Sequence, residues 1–176
     1  MLEIAPLAKS GADLAVGTKP HIGAIIGRPV TLSPAAPHSR WSLRARDPAL
    51  LGSALGRALP DRIGTVLDGI ARLGPDEWYA LLEAGTALPV LTGLPVSVVD
   101  VSARALGFTV SGEGARLALE RGCPLDLARL APGSATRTVF ETVEIQVWPT
   151  APDAFHIEVW RSFAPWLWHA LAEAIV

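Results

Sequence analysis

The chain has 176 residues, 50% of them hydrophobic and 18% charged, with 15 basic against 17 acidic side chains and a pI near 6.1. One domain of that size buries roughly 70% of the surface its unfolded chain exposes. The near-neutral charge excludes the basic stripe that nucleic acid or an anionic membrane requires. A mean hydropathy of +0.35 is high for a chain whose whole surface meets water, and it points to a face covered by a partner.

Cys123 is the only cysteine, so no intrachain disulfide can form, which suits a reducing cytoplasm. The first twenty residues carry Glu3 and Asp13 and no basic run leading into an apolar stretch, so they do not read as a secretion signal. No apolar run approaches the ~20 residues that span a bilayer, so a soluble protein is expected.

From residue 1 to about 39 the chain is rich in Pro, Gly and Ala and shows no sustained period, which predicts an extended, irregular arm. A single α+β domain is expected over 40–176. Arg40 to Arg44 alternates as a strand. Asp47-Pro48 then supplies an N-cap and a first-turn proline for a helix running to about Ala58, with Pro60 to stop it. Gly64 to Leu73 reads as a strand, Gly74-Pro75-Asp76-Glu77 as a turn, and Trp78 to Glu83 as the returning strand.

The same order recurs downstream, giving an internal repeat of about 40–83 and 98–176. A strand starts at Val98 or Phe108 and ends at Val110, and a helix near Glu113 to Arg121 ends at Gly122. Val139 to Trp148 alternates as one strand, and Phe155 to Trp160 as another, with His156, Glu158 and Trp160 on the half-exposed face. Ser162 is placed to cap a last helix whose core stripe is Phe163, Leu167, Ala170, Leu171 and Ala174. The expected fold is therefore α+β, with two β-α-β-β units forming an antiparallel sheet, helices packed on one face, and the irregular N-terminal arm in front.

No catalytic constellation emerges. Ser111-Gly112-Glu113-Gly114-Ala115-Arg116-Leu117 lacks the third glycine of a dinucleotide loop, and Glu113 would repel a phosphate, so it reads as a tight start to a helix. His169 and Glu173 lie one helical turn apart, but two ligands do not hold a metal, and a solvated stripe explains them. His156 and Glu158 share a strand face and could serve acid–base work only in a pocket that raised the carboxylate pKa. There is no Gly-x-Ser-x-Gly, and Cys123 has no base nearby in sequence.

The positive signal is aromatic. Four of the six tryptophans, Trp148, Trp160, Trp166 and Trp168, lie at or after position 148, and tryptophan is enriched in interface hot spots. Trp166 and Trp168 flank the core stripe of the last helix on opposite sides. The candidate partner interface is Trp160, Phe163, Trp166 and Trp168. No catalytic, cofactor-binding or metal residue is assigned.

Five blocks in order, Leu73-Gly74-Pro75-Asp76-Glu77-Trp78, Val99-Asp100-Val101-Ser102, Gly122-Cys123-Pro124-Leu125-Asp126-Leu127, Thr136-Arg137-Thr138 and Arg161 to Trp168, resemble the gamma subunits of heterotetrameric sarcosine oxidases. That family is similar in fold to the folate-binding aminomethyltransferases of the glycine cleavage system, whose Asp-Val-Ser-His segment is echoed here with Ala103 in place of the histidine. The resemblance implies a non-catalytic structural subunit of a complex that oxidatively demethylates sarcosine to glycine, with tetrahydrofolate accepting the one-carbon unit. It implies alpha, beta and delta subunits as partners, alpha in direct contact, and FAD, FMN, NAD and zinc held by those other subunits. The alternative is a stand-alone folate-dependent aminomethyltransferase-like or folate-binding protein.

Overall fold

Residues 16–175 are described by a computed structural model. Its elements in chain order are β1 (His21–Ile25), β2 (Arg28–Pro34), β3 (His38–Ala45), α1 (Pro48–Leu55), β4 (Val66–Leu67), β5 (Ile70–Arg72), β6 (Glu77–Glu83), β7 (Val96–Asp100), β8 (Ala105–Ser111), α2 (Ala115–Glu120), a 3-10 turn (Leu127–Arg129), β9 (Thr136–Phe140), β10 (Val143–Ala151), β11 (Ala154–Trp160) and α3 (Ala164–Glu173). The strands form two antiparallel sheets, one of six in the order β1-β2-β8-β11-β10-β9 and one of five in the order β4-β5-β6-β3-β7. The α+β class and the repeat hold, but each repeat runs strand, helix and three further strands, and each builds the centre of its own sheet rather than one shared sheet.

The two sheets are images of each other in strand order: β4-β5-β6-β3 in the five-stranded sheet corresponds to β9-β10-β11-β8 in the six-stranded one. What locks them together is a reciprocal exchange. β2 leads directly into β3 yet pairs with β8 of the other repeat, while β7 leads into β8 yet pairs with β3. Neither sheet is complete without a strand delivered by the other half, so the repeats cannot separate as two domains without breaking ladder hydrogen bonds.

Side-chain alternation then decides what each face meets. Along β6, Trp78, Ala80 and Leu82 pack with Leu51 and Leu55 of α1, whereas Tyr79 joins Ala71, Val101, Ala135 and Trp148 in a small cluster drawn from both repeats. Along β11, Phe155, Ile157 and Val159 face Ala118 and Leu119 of α2 and Leu167, Trp168 and Leu171 of α3. Each sheet is thus covered by helix on one face and by the other sheet on the second.

Several sequence expectations are corrected by this arrangement. The irregular arm predicted for 1–39 contains an ordered hairpin at 21–34; residues 1–15 lie outside the described residues. Ile26 and Gly27 join its strands with φ of 50 and 73, the positive values a two-residue primed turn demands. Pro29 and Pro34 made the segment look strandless. They are tolerated because β2 pairs with β8 only from Thr31 to Pro34, leaving Pro29 outside that ladder and Pro34 at its end. The predicted single strands 64–73 and 139–148 are both hairpins, turning at Asp68-Gly69 and at Glu141-Thr142.

Helix α1 begins as expected, with the Asp47 carboxylate accepting from the Ala49 and Leu50 amides, but it ends at Gly56 in the left-handed region, before Pro60. In α3 the residue before the first turn is Phe163, and Ser162 makes no capping bond. The hairpin β1–β2 docks on the far end of α3: the Ala24 amide donates to the Ile175 carbonyl at 3.0 Å, and a Cβ on Gly23 would lie 2.2 Å from that oxygen. No helix among the described residues is long and apolar enough to cross a membrane.

Candidate functional site

Two features stand out, a charged cluster buried between the sheets and an aromatic turn left at the surface. The cluster is placed by strand register. His156 and Glu158 sit two residues apart on β11 and so share a face, opposite Thr109 and Gly107 of β8. Arg40 on β3 and Tyr79 on β6 project from the other sheet into the same space.

The Glu158 carboxylate accepts four hydrogen bonds: from Arg40 Nε at 2.5 Å, Arg40 Nη2 at 2.9 Å, the Tyr79 hydroxyl at 3.0 Å and His156 Nε2 at 2.6 Å. Arg40 Nη1 also donates to the His38 carbonyl at 3.0 Å, and the Arg40 amide donates to Ser102 Oγ at 2.8 Å. Glu158 is 2% exposed. Burial acts to raise its pKa, but the hydrogen bonds from His156 and Arg40 and their charges prevail and hold it below the usual carboxylate range. Burial and the Glu158 charge push the Tyr79 phenol well above its ordinary value.

A carboxylate with four donors, kept ionised and out of water, is a weak base with no lone pair to offer a substrate. The cluster is an electrostatic latch between the sheets. The sequence expectation of a half-exposed polar face at His156 and Glu158 is corrected here, because the second sheet covers that face. Gly107 makes the room: a Cβ there would lie 2.7 Å from His156 Cε1 and 2.8 Å from Glu158 Oε1.

Other motif residues also stitch the repeats. Glu77, expected only to serve a turn, receives Arg137 of β9 at 2.5 Å and Arg44 of β3 at 3.3 Å. Trp78 is fully buried, donates to the Pro60 carbonyl at 3.2 Å and carries the Arg72 guanidinium 5.0 Å above its ring. Asp100 accepts from the Ser102 amide at 2.8 Å, shaping the turn that brings Ser102 to the Arg40 backbone. Gly114, in the segment tested as a dinucleotide loop, packs so closely on the first hairpin that a Cβ would meet Ile25 and Val30 at 2.6 Å. Among the described residues no group of three or more His, Cys, Asp or Glu is placed to hold a metal ion.

The four predicted interface aromatics divide. Trp160 is 39% and Phe163 48% exposed, at the two ends of one tight turn in which the Phe163 amide donates to the Trp160 carbonyl at 2.9 Å. Trp166 is half-buried against the core. Trp168 is a core residue: 6% exposed, it tilts against Phe108 with ring centroids 5.4 Å apart, and the chain at Gly17 passes so close that a Cβ there would overlap its indole. Its assignment to a partner surface is corrected on those contacts.

The two-sheet fold recurs in the glycine cleavage system aminomethyltransferase T of Bartonella henselae, with a TM-score of 0.60 and 16% identity over 88% of this chain and 46% of that one. It recurs more fully in the heterotetrameric sarcosine oxidase of Corynebacterium sp. U-96, solved in complex with pyrrole 2-carboxylate, with a TM-score of 0.77 and 28% identity over 87% of both chains. No family model matches. Among curated proteins, the sarcosine oxidase subunit gamma of Corynebacterium sp. strain P-1 is 32% identical over 139 residues, 72% of this chain and 68% of that protein. Its counterpart in strain U-96 is 30% identical over 164 residues, 84% of this chain and 80% of that protein. The Arthrobacter subunit gamma is 32% identical over 121 residues, and the match spans 60% of its length. The chain belongs to the sarcosine oxidase subunit gamma family.

Proposed function

We propose that this chain is a non-catalytic structural subunit of a heterotetrameric amine oxidase, acting in the cytoplasm and docking on the large alpha subunit of a complex that oxidatively demethylates sarcosine to glycine. FAD, FMN, NAD and zinc belong, in this reading, to the other subunits, and tetrahydrofolate accepts the one-carbon unit there. Family membership supports the partner role. The observation that carries the docking role is the Trp160–Phe163 turn, two large aromatic side chains left in water beside a molecule whose other motif residues bind its own two sheets together. Exposed aromatics of this kind act as interface anchors.

Replacing both, Trp160→Ala with Phe163→Ala, should lower the affinity for co-expressed partner subunits by at least about tenfold, since interface anchors cost about 2 kcal/mol or more each when truncated. The thermal midpoint of the chain should stay close to the parent's. Unchanged co-purification and affinity would remove the turn from the interface.

A further inference from the structure

Next to the buried cluster the seam between the sheets opens to the surface as a cleft of about 320 Å³, at the small end of the range that binds organic ligands. Pro34, Ala35, Pro37 and Leu106 give it apolar lining, while His38, Arg40, Ser102 and Arg161 supply the polar groups. Among the described residues no carboxylate lines it, and Glu158 lies behind Arg40 with its oxygens fully engaged.

The polar groups have capacity to spare. Arg161 donates through Nε to the Ala103 carbonyl at 2.7 Å, and among the described residues no carboxylate pairs with it. Each terminal nitrogen of Arg40 uses one hydrogen bond and carries two N–H groups. His38 Nδ1 lies 2.7 Å from the Ala36 carbonyl, which can only accept, so Nδ1 holds the proton in the neutral ring and Nε2 presents a lone pair. Burial holds the His38 pKa below its ordinary value, which keeps that ring neutral.

We propose that this cleft is a binding site for a small organic acid with a compact apolar body. Its carboxylate pairs with the planar guanidinium of Arg161, its body lies against the apolar lining from the proline-rich loop and Leu106, and an N–H or O–H on the body donates to His38 Nε2. An acidic side chain from a partner protein would fill only a small part of the cleft, which favours a free ligand. The proposal does not rest on the docking role of the Trp160–Phe163 turn, because binding is read on the chain directly.

Saturation-transfer NMR on the full chain, with co-expressed subunits where they are needed for solubility, compares benzoate with benzamide, a neutral molecule of the same shape. Benzoate should bind saturably in the millimolar range and at least about tenfold more tightly than benzamide. Arg161→Gln should remove that preference without moving the thermal midpoint, and it also identifies benzoate bound elsewhere in a complex. No saturable benzoate signal up to about 20 mM, or the same benzoate affinity in Arg161→Gln, would overturn the proposal. So would an Arg161→Gln variant that leaves benzoate binding intact while releasing a partner subunit, an outcome that gives the cleft to an acidic side chain of that partner.

Discussion

Glu158→Ala should cost about 3–5 kcal/mol of folding stability in a urea titration, because it strands the buried Arg40 without its counter-charge and takes away the acceptor beside His156 Nε2. Removing the charges together tells latch from anchor. Arg40→Met combined with Glu158→Leu should recover most of the loss, since well-packed apolar pairs often replace buried ion pairs at little net cost. A single variant that loses less than about 1 kcal/mol would mean that water reaches the seam. The acid limb follows from the same group. Its folded pKa lies below its unfolded value, so its contribution is complete above the unfolded pKa, about 4.3, and is lost as pH falls through the folded pKa. Glu158→Gln should flatten that limb of the stability–pH curve.

Trp168→Ala should also be severe, about 3–5 kcal/mol, because the indole fills the core between Phe108 and the chain at Gly17 and its removal leaves a cavity. Trp168→Phe keeps a ring against Phe108 and should cost less. The contrast with Trp160 is the informative part: two tryptophans eight positions apart should separate into a folding phenotype and an assembly phenotype. A Trp168→Ala chain that melts like the parent but fails to assemble would return Trp168 to the partner surface.

Those two tryptophans also mark what could be read before the structure. Strand and helix order was legible wherever alternation or a cap stood alone, as at Asp47-Pro48 and along β11. It failed where alternation ran through a turn without a break: Val139 to Trp148 reads as one alternating run across Glu141-Thr142, and neither turn residue is a glycine or asparagine. Asp68-Gly69, by contrast, was a readable hairpin signal absorbed into a strand.

The reciprocal exchange of β2 and β7 was invisible because pairing between halves is long-range and leaves no local pattern. That exchange is the reason the face bearing His156 and Glu158 is buried rather than half-exposed. The latch itself had one readable trace, a histidine and a glutamate on one face of an otherwise apolar strand. The identity of their partner, Arg40, lay 118 positions away in sequence. Trp168 was misplaced for a related reason: a helical wheel shows which side of α3 is apolar, but not that the chain at Val16 and Gly17 returns to cover the flank of that stripe.

The central claim, a structural subunit that works only in company, is tested most directly by co-expressing this chain with alpha, beta and delta subunits from the same source and measuring the mass of the purified assembly. One copy of this chain in a stoichiometric complex carrying flavin absorbance, from which the Trp160→Ala, Phe163→Ala variant is missing, is the expected result. A well-behaved monomer that elutes apart from those subunits at micromolar concentration would contradict it.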